Sequence, residues 1–181
     1  LAFGQSFQTT SDYIILAESV PSGTTTANAT ALALGYDCEN YFSSSYKNNP
    51  SDIKNETIKK ALENIDLQGE LFEKLGNVSD NMIIFNAGFI LGSRANNLKV
   101  ILAGGTQMAA VLLTINSILR VMGGELDSSN IALCTTKWIN KDENSNIKAL
   151  LEQLDFSINA YASDFDFAES SHPALNLYDQ G

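Results

Sequence analysis

The sequence predicts an α/β domain, a three-layer Rossmann-like arrangement with a mostly parallel sheet and ligand loops at the carboxyl ends of the strands. Three observations carry this reading. Short apolar runs of strand length alternate with longer segments of helical character, the pattern of parallel sheets built with right-handed crossovers. Two of those runs, residues 13–17 and 99–103, each lead into a tight Gly-containing loop and then a helix. Hydrophobic residues make up 44% of the 181 and charged residues 18%, enough for one domain, 1–181, with a sizeable core.

Residues 1–11 are rich in Ser, Thr and Gln and read as a connection into the first strand. Tyr13-Ile14-Ile15-Leu16-Ala17 follows, a β-branched and aromatic run suited to a buried strand. It stops at Glu18, and a polar loop ending in Ser22-Gly23 precedes a helix over 26–34, which Gly35 stops. Residues 37–51 read as a long polar loop, a length often tied to function. Ser51 or Asp52 can cap a helix over 53–64, and a second helical piece is expected over 67–75, ending at Gly76-Asn77. Lys54 stands in the first turn, where the helix dipole disfavours a cation.

Residues 82–97 are ambiguous: their start fits a strand, but the apolar spacing and the small residues favour a tightly packed helix. Its Gly88 and Gly92 cost helix stability, so close approach of a neighbour or ligand is their expected reason. A strand over 99–103, a loop at Gly104-Gly105-Thr106-Gln107 and an apolar helix over 108–121 repeat the first unit. A third strand is expected over 131–135, a helix over 145–154, a fourth strand over 156–161, and a short helix opened by Pro173.

Right-handed crossovers place the loops after Ala17, Ala103 and Thr135 on one edge of the sheet. Glu18, Thr24, Thr25, Thr26, Gly104–Gln107 and 135–137 then line one crevice, where open parallel sheets bind ligands. Helix-start N–H groups and Ser/Thr hydroxyls can hold a phosphate or sugar phosphate, with one carboxylate beside it. The bland alternative is N-capping without a ligand, and the convergence of two such loops is what favours a site.

The net charge of −10 argues against nucleic acid or an anionic membrane as partner. Cys38 and Cys134 show no metal spacing and read as reduced thiols of a cytoplasmic protein. With a lone His172 and no Cys/His cluster, neither a metal nor a cofactor is expected, and no run reaches membrane-spanning length. Trp138 reads as packing at the sheet edge, with stacking on a flat base as the alternative. Asp164, Asp166 and Glu169 read as solvated. A start on Leu1 without Met, and an end without a terminal helix or charged tail, lead us to expect a piece of a longer chain.

Three spellings are more specific than generic Gly loops: Glu18-Ser-Val-Pro-Ser-Gly-Thr-Thr-Thr-Ala27, Asn86-Ala-Gly-Phe-Ile-Leu-Gly-Ser93 and Leu102-Ala-Gly-Gly-Thr-Gln-Met108. Together they resemble the nicotinate-nucleotide–dimethylbenzimidazole phosphoribosyltransferase family, most closely its less characterised prokaryotic branch, over roughly the C-terminal half of a member. The resemblance implies transfer of 5-phosphoribosyl from nicotinate mononucleotide to a benzimidazole-like base, giving an α-ribazole phosphate for the lower ligand of cobalamin. The partners it implies are that small-molecule donor and an aromatic base. It implies catalytic roles for Glu18 and Lys54, and substrate contacts from Ser22, Gly23, Thr24, Thr25, Thr26, Gly88, Gly104, Gly105, Thr106 and Gln107.

Two departures stand out. Ser22 replaces a usual Gly, and the chain stops where the family's principal base, a Glu among glycines, would begin; Glu169 lacks those glycines and is no substitute. The alternative is therefore a non-catalytic module that binds a sugar phosphate or nucleotide. A homodimer is also expected, with 82–97 or 108–121 at its interface.

Overall fold

Four parallel strands pair in the order of the sequence. In the computed structural model, which describes residues 1–42 and 51–179, they are β1 (Ile14–Ala17), β2 (Val100–Ala103), β3 (Ile131–Thr136) and β4 (Asn159–Ser163). The register aligns Ile14 with Val100 and Ile131, and Leu16 with Leu102, Leu133 and Ala160. β1, β2 and most of β3 are apolar or β-branched. The run at 13–17, expected to be buried, leaves Tyr13 and Ile15 exposed, and β4 (Asn-Ala-Tyr-Ala-Ser) is exposed along most of its length. The sequence places all four, but β4 begins three residues later than its hydrophobic run at Phe156, because that run packs its apolar side chains into the core ahead of the ladder.

The helices are α1 (Ala2–Ser6), α2 (Gly23–Ala33), α3 (Ser51–Glu63), α4 (Leu71–Val78), α5 (Asn81–Ser93), α6 (Thr106–Met122), α7 (Lys137–Lys141), α8 (Ile147–Leu151) and α9 (Pro173–Asp179). A 3₁₀ turn over Arg94–Asn96 extends α5. The central one is α6, where every residue from Thr106 to Leu119 is buried. A helix apolar on all sides belongs in a core, and α6 packs against α2, α5 and α8 while facing Val100, Leu102, Ile131 and Leu133 of the sheet. Its Asn116 and Ser117 side chains are tied down through Tyr36. Asn116 donates to the Tyr36 hydroxyl (3.0 Å) and accepts from the Asp155 backbone N–H (3.0 Å). The Tyr36 hydroxyl in turn bonds the Leu113 carbonyl oxygen (2.9 Å).

Several expectations are corrected. Residues 2–6 form a helix, and Asn96 Nδ2 donates to the carbonyls of Gly4, Gln5 and Phe7 behind it. The second helical piece starts at Leu71, and Gly76 and Asn77 lie inside it. Thr24–Thr26 and Thr106–Gln107 belong to the first turns of α2 and α6 and not to the loops before them. The glycines of α5 do mark a close neighbour, since a Cβ on Gly92 would overlap the Leu1 carbonyl oxygen. Most of the long polar loop, residues 43–50, lies outside the described residues. Of the two helices expected at a dimer interface, α6 is core over Thr106–Leu119 and exposes apolar side chains only at its end, Val121 and Met122, while α5 presents Ile84 and Phe85. Among the described residues, no helix is long and apolar enough to cross a membrane.

Candidate functional site

At the carboxyl edge of the sheet, β1 ends in Glu18 and β2 ends in Gly104-Gly105, the entry to α6. The Glu18 backbone N–H donates to the Ala103 carbonyl oxygen (3.3 Å), which sets the side chain directly over the second loop. A Cβ on Gly104 would sit 2.5 Å from Glu18 Oε2, so glycine is what admits the carboxylate there. Burial pushes the Glu18 carboxyl above its ordinary range, and the backbone N–H groups of Gly105 and Met108 pull it back less strongly. Glu18 Oε2 is buried with no hydrogen-bond partner among the described residues. A carboxylate held this way is primed to take a proton or to face a cation.

Gln107 joins the two loops. It is 7% exposed in the first turn of α6, and its Oε1 fills the space that a Cβ on Gly23 would need at the start of α2. That Oε1 also has no partner, nor do the buried hydroxyls of Thr106, Thr135 and Thr136. Among the described residues, five of the eight unpartnered buried polar atoms thus belong to this one edge: Glu18, Thr106, Gln107, Thr135 and Thr136. Buried polar groups are ordinarily satisfied, so a cluster of orphans marks a place that a ligand or water completes.

Thr24 and Thr25 are half-buried in the first turn of α2. Ser22, before them, holds a left-handed backbone (φ 58°) and its side chain makes no cap bond. Thr26 stands differently from what the sequence suggests. Its hydroxyl bonds the Gly23 carbonyl oxygen (3.0 Å) and Asp80 Oδ2 (2.8 Å), while Asp80 Oδ1 caps α5 by accepting from the Ile83 N–H (2.9 Å). Its one proton is committed to joining α2 to α5. Gly105 faces the Ile139 side chain of α7, with the nearest atom 3.3 Å from where a Cβ would be. That contact brings the start of α7 over the loop.

One predicted residue, Gly88, lies apart from this group, and Lys54 is held by partners of its own. The open side of Gly88 faces the Leu1 backbone nitrogen (3.3 Å), not the sheet edge. Lys54 is 8% exposed, and its Nζ donates to the Phe42 carbonyl oxygen (2.7 Å). Burial lowers the Lys54 ammonium pKa, and the Asp142 carboxylate opposes that shift. The geometry is that of a buried strut between the segment at Phe42 and the turn at Asp142. Trp138 packs as expected, stacked on Phe167 (5.6 Å, 8° between planes) and edge-on to Phe165 (5.4 Å), with Lys137 Nζ 5.0 Å from its ring. Asp80, which holds the Thr26 hydroxyl, is the group that sequence reasoning does not single out.

No family model matches the chain. It is 36% identical over 181 residues to a UPF0284 protein of Sulfolobus acidocaldarius, covering 100% of this chain and 50% of that protein. It is likewise 36% identical over 186 residues to a UPF0284 protein of Methanothermobacter thermautotrophicus, again covering 50% of it. The chain therefore spans about half the length of the relatives it matches. Among solved structures, it is similar to the nicotinate-nucleotide-dimethylbenzimidazole phosphoribosyltransferase from Thermus thermophilus. That match has a TM-score of 0.56 at 16% identity, over 81% of this chain and 41% of that one. At that identity the likeness is one of fold. The chain is related in sequence to UPF0284 proteins and shares its α/β fold with a phosphoribosyltransferase.

Proposed function

We propose that this chain is the phosphoribosyl-handling domain of a transferase acting on nicotinate mononucleotide and a benzimidazole-like base. The observation that carries the reading is the Glu18 carboxylate, buried and unpartnered at Oε2 above the Gly104-Gly105 turn. The fold likeness to a phosphoribosyltransferase supports the substrate class.

In this reading the phosphate and ribose are held by Ser22, Gly23 and the hydroxyls of Thr24 and Thr25 at the start of α2. Thr106, Gln107 and the Gly104-Gly105 turn contact the sugar from the other side. The C1′–N bond to nicotinate breaks, and C1′ bonds to a ring nitrogen of the incoming base. The pyridinium leaves with its own electron pair and needs no proton. The base loses its N–H proton to Glu18, whose raised carboxyl suits that transfer. Holding donor and acceptor in line supplies much of the rate. Lys54 acts in this reading by fixing Phe42 and the adjoining segment rather than by touching substrate.

One observation favours a second reading, a binding module without turnover. The Thr26 hydroxyl and the Lys54 ammonium both hold protein partners, Asp80 and the Phe42 carbonyl oxygen, whereas Glu18 Oε2 has none among the described residues. Calorimetric titration with nicotinate mononucleotide, with nicotinate and ribose 5-phosphate as controls, tests the site. Saturable binding that is lost in Thr25→Val and Gly105→Leu is the expected result, and no binding of any phosphorylated ligand would overturn it. Formation of the α-ribazole phosphate from added benzimidazole separates the transferase from the module.

A further inference from the structure

The two faces of the sheet are treated unequally. On one, Val100, Leu102, Ile131 and Leu133 are at most 5% exposed beneath the helices. On the other, Ile15, Ile101, Ala132 and Asn159 align in one row and Ala17, Ala103, Cys134 and Tyr161 in the next. Ile15 is 56% exposed and Tyr161 61%, with Tyr13 beside them at 50%. These rows carry no charged residue, although the chain as a whole has a net charge of −10.

Strand order explains the imbalance. Neighbours in space are successive in sequence, so right-handed crossovers put every connecting helix on the same side. All-parallel sheets have both faces covered, and β1, β2 and the first four residues of β3 are apolar on both. The described residues supply one layer only. The relatives, meanwhile, possess as much chain again as the half matched here.

We propose that the open face of the sheet is an interface, covered by a helical layer from the half of the relatives' polypeptide that this chain does not span. A helical layer fits because parallel sheets in α/β proteins are faced by helices, and the charge-free rows call for an apolar helix face. The covering layer reaches the sheet edge, since Ala17, Ala103 and Cys134 immediately precede Glu18, Gly104 and Thr135. A second copy of this chain is the competing occupant, and it would bring two chains of net charge −10 together across an uncharged face.

The molecule carries its own probe. Cys134 lies half-buried on the open face, whereas Cys38 is fully buried and its thiol is pushed up to about 12 by burial. Thiol labelling with an aromatic disulfide is compared between the 181-residue chain and a chimera. In the chimera this chain replaces the matching half of the Sulfolobus acidocaldarius relative. The expected result is fast labelling of Cys134 in the chain alone and at least about tenfold slower labelling in the chimera, with Cys38 silent in both.

Equal labelling in a chimera that keeps Cys38 silent overturns the proposal. A chain that is dimeric alone with Cys134 already protected also overturns it, in favour of a second copy. Ile15→Lys and Tyr161→Lys in the chain alone give an independent check. Each leaves Tm within about 2 °C, because the side chain it replaces is already largely in solvent. A cooperative loss of structure in either variant shows the face to be used internally and overturns the interface. None of these outcomes depends on what the sheet edge binds.

Discussion

Glu18 and Lys54 are both buried ionisable groups, and the fold holds them in opposite ways. Lys54 donates to the Phe42 carbonyl oxygen and lies in the field of Asp142. Glu18 has an Oε2 with no partner and sits beside four other orphaned polar groups. A buried charge that is satisfied within the chain holds structure together. One left unsatisfied costs stability and persists where something outside the chain completes it. In the proposed reading, the difference separates the functional edge from its support, although the sequence marks both residues alike.

The comparison can be broken most severely at Gly104. Gly104→Val places branched atoms where the Glu18 carboxylate lies and displaces it. Titration calorimetry with nicotinate mononucleotide is expected to show an affinity loss of about 100-fold or more, for a misplaced site group. Retained affinity would mean that Glu18 is not part of the site. Lys54→Met acts on the other member. It orphans the Phe42 carbonyl and costs about 1–3 kcal/mol, a Tm fall of about 3–10 °C in thermal unfolding. Ligand affinity corrected for folded fraction stays unchanged, and a selective loss of binding would make Lys54 a site residue after all.

A pH series sharpens the contrast. The folded-state pKa of Glu18 is raised, so its contribution to stability is fully present below the unfolded carboxylate value and is lost as pH rises through the raised one. Glu18→Gln, which cannot ionise, is therefore expected to be more stable than the parent at neutral pH. The advantage fades as pH falls below about 4, in the ordinary carboxylate range. Thermal unfolding between acid and neutral pH reads this directly. The smallest effect is expected at Ser22, whose left-handed backbone glycine adopts freely. Ser22→Gly gains about 1 kcal/mol, measured by denaturant unfolding, because no cap bond is lost with the hydroxyl.

The parts of the fold that were legible in the sequence are those set by local pattern. The runs Ile14–Ala17 and Val100–Ala103, each followed by a Gly loop, announce parallel strands whose ends meet on one edge. The glycines of 82–97 announce a close neighbour, and Leu1 is that neighbour. What was not legible depends on pairs far apart in sequence. The Thr26 hydroxyl is claimed by Asp80, 54 positions away, and nothing near Thr26 signals it. Lys54 reads as an anomaly of the helix dipole, while its reason is a carbonyl 12 positions back. The five-residue α1 and α7 are too short for a periodic signal and are fixed by what they pack against, α5 and the ends of β3 and β4.

The central claim is that the fold sacrifices stability at Glu18 to keep its carboxylate available. The most direct test measures Glu18→Gln twice at neutral pH, for Tm and for affinity toward nicotinate mononucleotide, whose pyridinium a carboxylate attracts. The account predicts a higher Tm together with binding weakened about tenfold, as expected for loss of one charge-assisted contact. A lower Tm with unchanged binding would place Glu18 with Lys54 among the structural charges and contradict it.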